Sequence, residues 1–255
     1  MKSPRHFSGK NMRIGFDCQM LAEGLVLPLQ ASICHTVIEG GSGSGKSTFL
    51  LYLIYKAKKE GCQFTICDFK KSGELTGISD QYAEFGDCYE LIKEFYHNFL
   101  KTPEKGLGHD QVLIIDEIAG MLTYYGMDKA NKAKADEIRL MMANILMLGR
   151  SRRCYLWLSM QRFSASIFPS ASGAGDNFNL CVGLGRLTPE SKRALFAGME
   201  LDFEFQPGQG RGIAYIEGQP LRAICVPRIE KEKLLRLMRK QQEEKKAFRG
   251  ESVPG

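Results

Sequence analysis

The stretch Gly40-Gly-Ser-Gly-Ser-Gly-Lys-Ser47 decides the fold of this 255-residue chain. It fits the phosphate-binding pattern G-x-x-x-x-G-K-[ST] at every position. A short apolar strand at residues 35–38 precedes it, and helical spacing of apolar residues begins at Lys46. Glycines let backbone N–H groups turn inward as an anion cradle, and the following helix directs the positive end of its dipole at the phosphates. The stretch therefore predicts a phosphate-binding loop between a strand and a helix.

The residue types of this loop predict which groups would hold ATP and Mg²⁺. Lys46 is expected to reach the β- and γ-phosphates, and the Ser47 hydroxyl is expected to ligate Mg²⁺. A flexible Gly/Ser linker would not place Lys-Ser between a strand and a helix. The expected nucleotide-binding residues are Gly40, Gly41, Ser42, Gly43, Ser44, Gly45, Lys46, Ser47 and Thr48.

A carboxylate pair follows a second apolar strand. The run Val112-Leu-Ile-Ile ends at Asp116-Glu117 and is too uniformly apolar to be half exposed. We expect Asp116 to hold Mg²⁺ through water and Glu117 to orient or deprotonate the attacking water. Adjacent Asp and Glu favour a hydrolysing ATPase over many GTPase-type switches, whose water-positioning group usually lies elsewhere.

A third strand, at residues 155–159, leads to Gln161 and Arg162. A glutamine at the end of a strand beside the phosphate-loop strand can sense the γ-phosphate. The alternative is a solvent-facing strand end, and the residues alone do not separate the two.

Strands and helices alternate along the chain, which predicts an α/β fold with a mostly parallel sheet flanked by helices. Further strands are expected at 63–67, 181–184 and 212–216, and helices at 46–60, 88–101, 128–148 and 229–249. With no repeat or Pro-rich linker, one domain over residues 1–228 is the simplest division. Residues 229–255 would form a basic C-terminal helix and tail.

Composition and charge limit the classes of protein that are possible. The net charge of +6 lies mostly in residues 228–250, where nine Lys and Arg face four Glu. Such a tail suits a polyanion, although it also fits a solvated helix face. Eight singly placed cysteines predict buried reduced thiols rather than a metal cluster or disulfide framework. The apolar runs are too short to cross a bilayer, and the first residues have no secretory pattern, so we expect a cytoplasmic chain.

Four stretches together match one known family: residues 35–47, the run Asp68-Phe-Lys70 with Glu74-Leu75, residues 114–119, and residues 149–162. On these stretches the chain resembles the motor domain of the FtsK/SpoIIIE family of DNA translocases, within the FtsK–HerA group of hexameric RecA-like ATPases. Further likeness lies at residues 189–196 and 208–210, so the resemblance spans about residues 12–228. Two positions depart from the family pattern, because Phe69 and Phe163 stand where prolines are usual.

The resemblance implies a RecA-like P-loop NTPase that hydrolyses ATP to translocate double-stranded DNA as a homo-oligomer, expected to be a hexameric ring. Arg150 becomes the candidate arginine finger for a neighbouring subunit's γ-phosphate, although Arg152 and Arg153 lie beside it and a surface or nucleic-acid role is the alternative. The loop residues after Glu117 would face a central pore. The alternative is a solvent-exposed start of a helix, stabilised by charge pairs. These loop residues are Tyr124, Tyr125, Lys129, Lys132 and Lys134.

A compact motor of this kind is similar to the coupling ATPases of conjugative elements, which implies DNA transfer or segregation of a mobile element. Two alternatives stay open. One is an ATPase of the same group that drives protein secretion, and the other is an ATP-gated adaptor that recruits a relaxase or another DNA-processing partner. The expected place is the cytoplasm, with attachment to the membrane only through a partner.

Overall fold

The computed structural model describes residues 11–230 and 232–238. Within them the strands are β1 Met12–Asp17, β2 Pro28–Ala31, β3 Thr36–Gly40, β4 Gln63–Asp68, β5 Gln81–Glu84, β6 Gln111–Asp116, β7 Cys154–Met160, β8 Leu180–Leu184, β9 Arg211–Ile216 and β10 Arg222–Cys225. The helices up to residue 230 are α1 Cys18–Ala22, α2 Lys46–Lys59, α3 Cys88–Lys101, α4 Ile118–Met127, α5 Lys132–Arg152 and α6 Pro189–Leu195.

All ten of these strands form one sheet in the order β2-β1-β10-β9-β8-β3-β7-β6-β4-β5. The half from β8 to β5 is parallel, with β3 between β7 and β8 and β6 between β7 and β4. The carboxyl ends of β3, β4, β6 and β7 therefore meet at one edge of the sheet, where ligands of open α/β sheets bind. The predicted parallel α/β architecture is confirmed, and this edge carries the phosphate loop.

The other half of the sheet is antiparallel and was largely missed by the sequence analysis. Strand β9 runs antiparallel to β8, β10 to β9, β1 to β10 and β2 to β1. Strands β1, β2 and β10, and the edge strand β5 of the parallel half, have only four to six residues each. The alternation of polar and apolar residues over so short a strand is hard to tell from a loop. Such strands are stabilised by pairing with their neighbours rather than by local propensity.

The expectation that all cysteines are reduced is wrong for one pair. Cys18, the first residue of α1, forms a disulfide with Cys225, the last residue of β10. Strands β1 and β10 are paired beside it, with Phe16 opposite Cys225, so the sheet brings together two cysteines that are 207 residues apart. The other six cysteines are free and buried.

Helices cover both faces of the sheet and bury a core on each. Helix α2 covers one face of the sheet. It is itself buried on almost every side, since all six residues from 49 to 54 are fully or nearly fully buried. Helices α3, α4 and α5 cover the opposite face, where Ile92, Met121 and Ile145 belong to one apolar cluster. Because β6 is covered on both faces, its residues 112–115 are apolar throughout, as the sequence indicated.

The predicted helix at 128–148 differs from the structure at both ends. Helix α4 begins directly after Glu117, a turn occupies residues 128–131, and α5 continues to Arg152. Glycines at 120 and 126 lower the helical propensity of α4. Burial of Met121, Leu122 and Tyr125 stabilises the helix despite them.

The predicted C-terminal helix at 229–249 falls only partly within the described residues. Residues 232–238 are helical, and Leu234 and Met238 are buried in the same apolar cluster as α2. Residue 231 and residues 239–255 lie outside the described residues. None of the helices in the described part of the chain has the length and apolar character that crossing a membrane requires.

Candidate functional site

The phosphate loop connects the buried strand β3 to the N-terminus of α2. Gly43 and Gly45 have φ values of +76° and +93°, in the left-handed region that glycine adopts without strain. Gly45 is the residue that precedes the first turn of α2, so the free N–H groups of that turn face the loop. The local structure is therefore that of an anion-binding cradle at a helix N-terminus.

A second glycine loop, residues 208–210, holds the phosphate loop from the side. The Gly210 N–H donates to the Ser44 carbonyl at 2.8 Å, and the Gly210 carbonyl accepts from Val226 N at 2.7 Å. A Cβ on Gly45 would lie 3.1 Å from Gly210 N, so glycine at 45 permits this close approach. These contacts tie the phosphate loop to the segment after β10.

Lys46 and Asp116 face each other across the edge of the sheet. Lys46 Nζ lies 3.8 Å from Asp116 Oδ1, and both side chains are about one-tenth exposed. Burial raises the pKa of the Asp116 carboxyl, and the Lys46 ammonium opposes that rise. The carboxylate is thus directed at the phosphate loop, in the place that the sequence pattern predicted for it.

Glu117 is fixed by its backbone as well as by its side chain. It adopts a left-handed conformation, with φ +61° and ψ +47°, which is uncommon for a residue with a side chain. Its N–H donates to the Ser159 carbonyl on β7 at 2.7 Å, and its carbonyl accepts from Met121 N at the start of α4. Lys70, at the end of β4, places Nζ 2.5 Å from Glu117 Oε2.

A cavity of about 280 Å³ opens beside the phosphate loop. The structure brings the loop and Gln161 to its wall, and it adds two residues to which the sequence analysis gave no role, Lys70 and Gln209. Lys70 could have been suspected, because it follows Asp68 at the same edge of the sheet as Asp116. The lining residues are Gly40, Gly41, Ser42, Gly43, Gly45, Lys46, Ser47, Thr48, Lys70, Gln161 and Gln209.

The donors at this edge fit Mg²⁺ together with phosphate. Ser47 lies in the first turn of α2, and Asp116 ends β6 beside Lys46. A hydroxyl and a carboxylate are hard oxygen ligands, which Mg²⁺ prefers, and Mg²⁺ usually keeps several waters and binds substrate phosphates. Among residues 11–230 and 232–238 no group of three or more His, Cys, Asp or Glu could hold a metal. A metal here would therefore depend on phosphate and water for its remaining ligands.

A larger cavity, of about 670 Å³, adjoins the loop on its other side. Its wall includes Gly45 and Thr48, the chain around Gln209 and Arg211, and residues 225–230. Its volume lies in the range of small-ligand pockets. No motif in the sequence pointed to it, because its wall comes from segments more than 150 residues apart.

Glu39 ties the loop after β7 to the phosphate-loop strand. It is 3 % exposed, and its Oε2 accepts a hydrogen bond from Phe163 N at 3.1 Å. A proline at 163, usual in the resembled family, has no N–H to donate. At the other departure, Phe69 is 8 % exposed and stacks on Phe85, with ring centroids 5.1 Å apart. Each phenylalanine thus makes a contact in this chain that proline could not.

Arg150 lies at the opposite edge of the sheet from its own phosphate loop. It precedes β7, and its Nη1 donates to Glu217 Oε1 at 3.1 Å. Strand β3 has five residues, which at roughly 3.3 Å per residue separate the two edges by about 16 Å. That gap exceeds the reach of an arginine side chain, so the structure does not bring Arg150 into the site of its own chain.

Close packing fixes the backbone that carries Arg150. A Cβ on Gly149 would lie 2.1 Å from the Cys154 carbonyl oxygen and 3.1 Å from His35 Cε1. His35 Nδ1 accepts from Leu156 N, and burial lowers the His35 pKa to about 3. The neutral His35 ring therefore links the start of β3 to β7 at this edge of the sheet. The other two arginines stabilise the fold, since Arg152 donates to three carbonyls at the C-terminal end of α3 and Arg153 pairs with Asp110.

The loop residues expected to face a pore divide into two groups. The expectation is wrong for Tyr125, which is 3 % exposed and donates to the Gly86 carbonyl. Lys134 lies over the rings of Tyr89 and Tyr125. Tyr124 is 46 % exposed, although it also packs on Phe69 and Phe85, and Lys129 and Lys132 are exposed. The candidates that remain accessible are Tyr124, Lys129 and Lys132.

No protein-family profile matches the chain. A curated relative, the FtsK domain-containing protein YdcQ of Bacillus subtilis, is 26 % identical over 81 % of this chain and 47 % of that protein. The pCW3 conjugation coupling protein TcpA, solved with ATPgS, has TM-score 0.68 and 17 % identity over 84 % of this chain and 67 % of that one.

The cytoplasmic domain of the Type VII secretion ATPase EccC of Thermomonospora curvata has TM-score 0.66 and 17 % identity, over 93 % of this chain and 32 % of that one. EssC ATPases 2 and 3 of Geobacillus thermodenitrificans have TM-score 0.68 and 14 % identity, over 97 % and 51 %. The chain thus spans about half the length of its curated relative. The comparisons confirm the resemblance to FtsK-type motor domains and the RecA-like fold.

Proposed function

We propose that this chain hydrolyses ATP and couples the reaction to translocation of double-stranded DNA, in the transfer or segregation of a mobile element. The observation that carries the proposal is the convergence of the phosphate loop, Asp116, Glu117 and Gln161 on one edge of the sheet. An FtsK-domain relative and a conjugation coupling protein of the same fold support DNA as the cargo. We take residues 1–228 as the motor domain and residues 229–255 as a basic tail.

The residues divide the work of hydrolysis among them. The backbone N–H groups of the loop and Lys46 bind the β- and γ-phosphates, while Ser47 and, through water, Asp116 would hold Mg²⁺, which would neutralise phosphate charge. Glu117 accepts a proton from the attacking water as the water oxygen bonds to the γ-phosphorus and the bond to the bridging oxygen of ADP breaks. Gln161 contacts the γ-phosphate. The larger cavity beside Thr48 receives the nucleoside.

Arg150 completes the site of a neighbouring copy. Since it lies at the edge of the sheet opposite its own phosphate loop, it can stabilise transferring phosphate only in trans. This requirement favours a homo-oligomer, and the group resemblance favours a hexameric ring with DNA in its centre. Tyr124, Lys129 and Lys132 would touch the DNA backbone there. We propose the cytoplasm as the place of action, in keeping with the EccC neighbour, which is a cytoplasmic domain.

A second candidate keeps the motor and changes the cargo. Two of the structural neighbours are EccC, a Type VII secretion ATPase, and EssC, and one EccC structure holds a signal sequence peptide. A polypeptide cargo is therefore the alternative that a specific observation favours. A third candidate is an ATP-gated adaptor that recruits a relaxase, for which slow hydrolysis and tight ATP binding are expected.

The rate of ATP hydrolysis with and without duplex DNA tests the proposal. We expect duplex DNA to raise the rate at low salt, and we expect the gain to fall steeply as salt is added, because backbone binding releases counterions. Glu117→Gln is the matched control, since it should bind ATP and remain inactive with DNA. If duplex DNA leaves the rate of hydrolysis unchanged and a signal-sequence peptide raises it, the cargo is a protein rather than DNA.

A further inference from the structure

Lys70 reaches the phosphate site from the strand next to the Asp116 strand. Strands β4 and β6 are parallel and in register, with Asp68 opposite Asp116. Lys70 lies two residues beyond Asp68, and Glu117 lies one residue beyond Asp116. The two side chains therefore leave adjacent strand ends on the same edge of the sheet, and Lys70 Nζ meets Glu117 Oε2 at 2.5 Å.

The turn that carries Lys70 is held in place by buried groups. Asp68 is 0 % exposed, and its Oδ2 accepts from Ser72 Oγ and from Gly73 N, both at 3.0 Å. Phe69 anchors the other side, because its ring packs against both Phe85 and Tyr124. Lys70 itself keeps a side chain that is 39 % exposed. The backbone is thus fixed while the ammonium group keeps room to adjust.

Lys70 borders the space that phosphates would fill. Lys70 lines the 280 Å³ cavity together with the phosphate loop and Gln161. The cavity consequently has two lysines at its edge, and each is near a carboxylate: Lys46 near Asp116 and Lys70 near Glu117. A salt bridge as exposed as that of Lys70 contributes little to stability by itself. Its place at the cavity is better explained by a charge that arrives with the ligand.

We infer that Lys70 is a second phosphate-binding lysine, which contacts the γ-phosphate of bound ATP while its ion pair directs the Glu117 carboxylate toward the attacking water. The inference rests on the proposed ATP hydrolysis. Lys70 transfers no proton in the reaction, because Glu117 takes the proton of the water and ADP leaves with the bridging oxygen. Its role is to bind the γ-phosphate and to position the base.

Binding of ADP and of a slowly hydrolysed ATP analogue to the full chain tests this role. The variants are Lys70→Met, Lys70→Arg and the neighbouring control Lys71→Met, whose side chain is 71 % exposed and pairs with Glu84. A lost hydrogen bond to a charged group predicts a roughly 10- to 100-fold weaker affinity of Lys70→Met for the analogue. We expect its ADP affinity to stay within about twofold of the wild type, because ADP has no γ-phosphate.

Two further readouts separate positioning from simple structure. Lys70→Arg should regain part of the analogue affinity, and Lys71→Met should behave as the wild type. Turnover of Lys70→Met at saturating ATP should also fall, because Glu117 loses its partner. Equal losses for both nucleotides would overturn the γ-phosphate contact, and faster turnover of Lys70→Met would show that Lys70 holds the base away from water.

Failure of this inference can be told from failure of the proposed function. If the wild type binds both nucleotides and Lys46→Ala binds neither, the phosphate loop works as proposed whatever Lys70 does. If the wild type binds neither nucleotide, the phosphate site itself is wrong, and the role of Lys70 falls with it.

Discussion

Replacing Phe163 by proline restores the residue usual in the resembled family and removes the N–H that Glu39 accepts. That hydrogen bond has an N···O distance of 3.1 Å, and its acceptor is 3 % exposed. Glu39 would keep its side-chain hydrogen bond with Ser191, and loss of one hydrogen bond of a buried carboxyl group costs about 1–3 kcal/mol. Phe163 is also 6 % exposed, so loss of its ring costs about 3–5 kcal/mol more. We therefore expect proline to destabilise this chain.

Phe163→Ala separates the two costs, since alanine loses the ring and keeps the N–H. The free energy of unfolding, measured in urea, should be lower for Phe163→Pro than for Phe163→Ala by about 1–3 kcal/mol. This difference should shrink in a Glu39→Met background, where the acceptor is absent. A proline variant as stable as the alanine variant would refute the reasoning, and so would a difference that Glu39→Met leaves unchanged.

Three further predictions follow from contacts in other parts of the chain. Burial raises the pKa of Glu39 above its ordinary value of 4.5, so the folded state holds this proton more tightly than the unfolded state does. The free energy of unfolding should accordingly fall as pH rises from about 4.5 through the raised pKa, and Glu39→Gln should remove that part of the decline in urea titrations at several pH values. Cys225→Ser should lower the free energy of unfolding by about 2–4 kcal/mol, and addition of a reductant should then change the wild type but not the variant. Glu217→Gln removes the ion-pair partner of Arg150. It should change the free energy of unfolding of the monomer by no more than about 1 kcal/mol, because the pair is half exposed. A loss of several kcal/mol in urea would contradict this.

The central sheet and the phosphate loop could be predicted because local pattern and tertiary role agree there. Residues 112–115 are apolar throughout because β6 is covered on both faces, and the glycines of the loop supply conformations that other residues resist. Each of these segments signals its role without reference to distant parts of the chain. The meeting of Asp116 with Lys46 then follows from parallel strands ending at one edge.

What the sequence analysis missed depends on contacts between distant segments. In the sequence Glu39 is one more residue of a strand, and only the fold brings it to Phe163, 124 positions later. The bond between Cys18 and Cys225 exists because β1 pairs with β10, and no local spacing reveals that pairing. Tyr125 was expected at a pore because its chain position suggested a loop, yet burial in α4 turned it inward. Propensity says little where packing between elements decides the outcome.

A mixture of two inactive variants tests most directly whether one chain supplies Arg150 to the site of another. Lys46→Ala should lose nucleotide binding, and Arg150→Ala should bind ATP without hydrolysing it. In mixed rings, however, an intact phosphate loop from Arg150→Ala meets an intact arginine from Lys46→Ala at about a quarter of the interfaces, as random assembly in a cyclic oligomer requires. We predict that an equal mixture regains up to about a quarter of the wild-type ATPase rate, and that dilution abolishes the gain. Full activity of Arg150→Ala alone, or a mixture as inactive as its parts under conditions in which the wild type assembles and hydrolyses ATP, would contradict a site completed in trans.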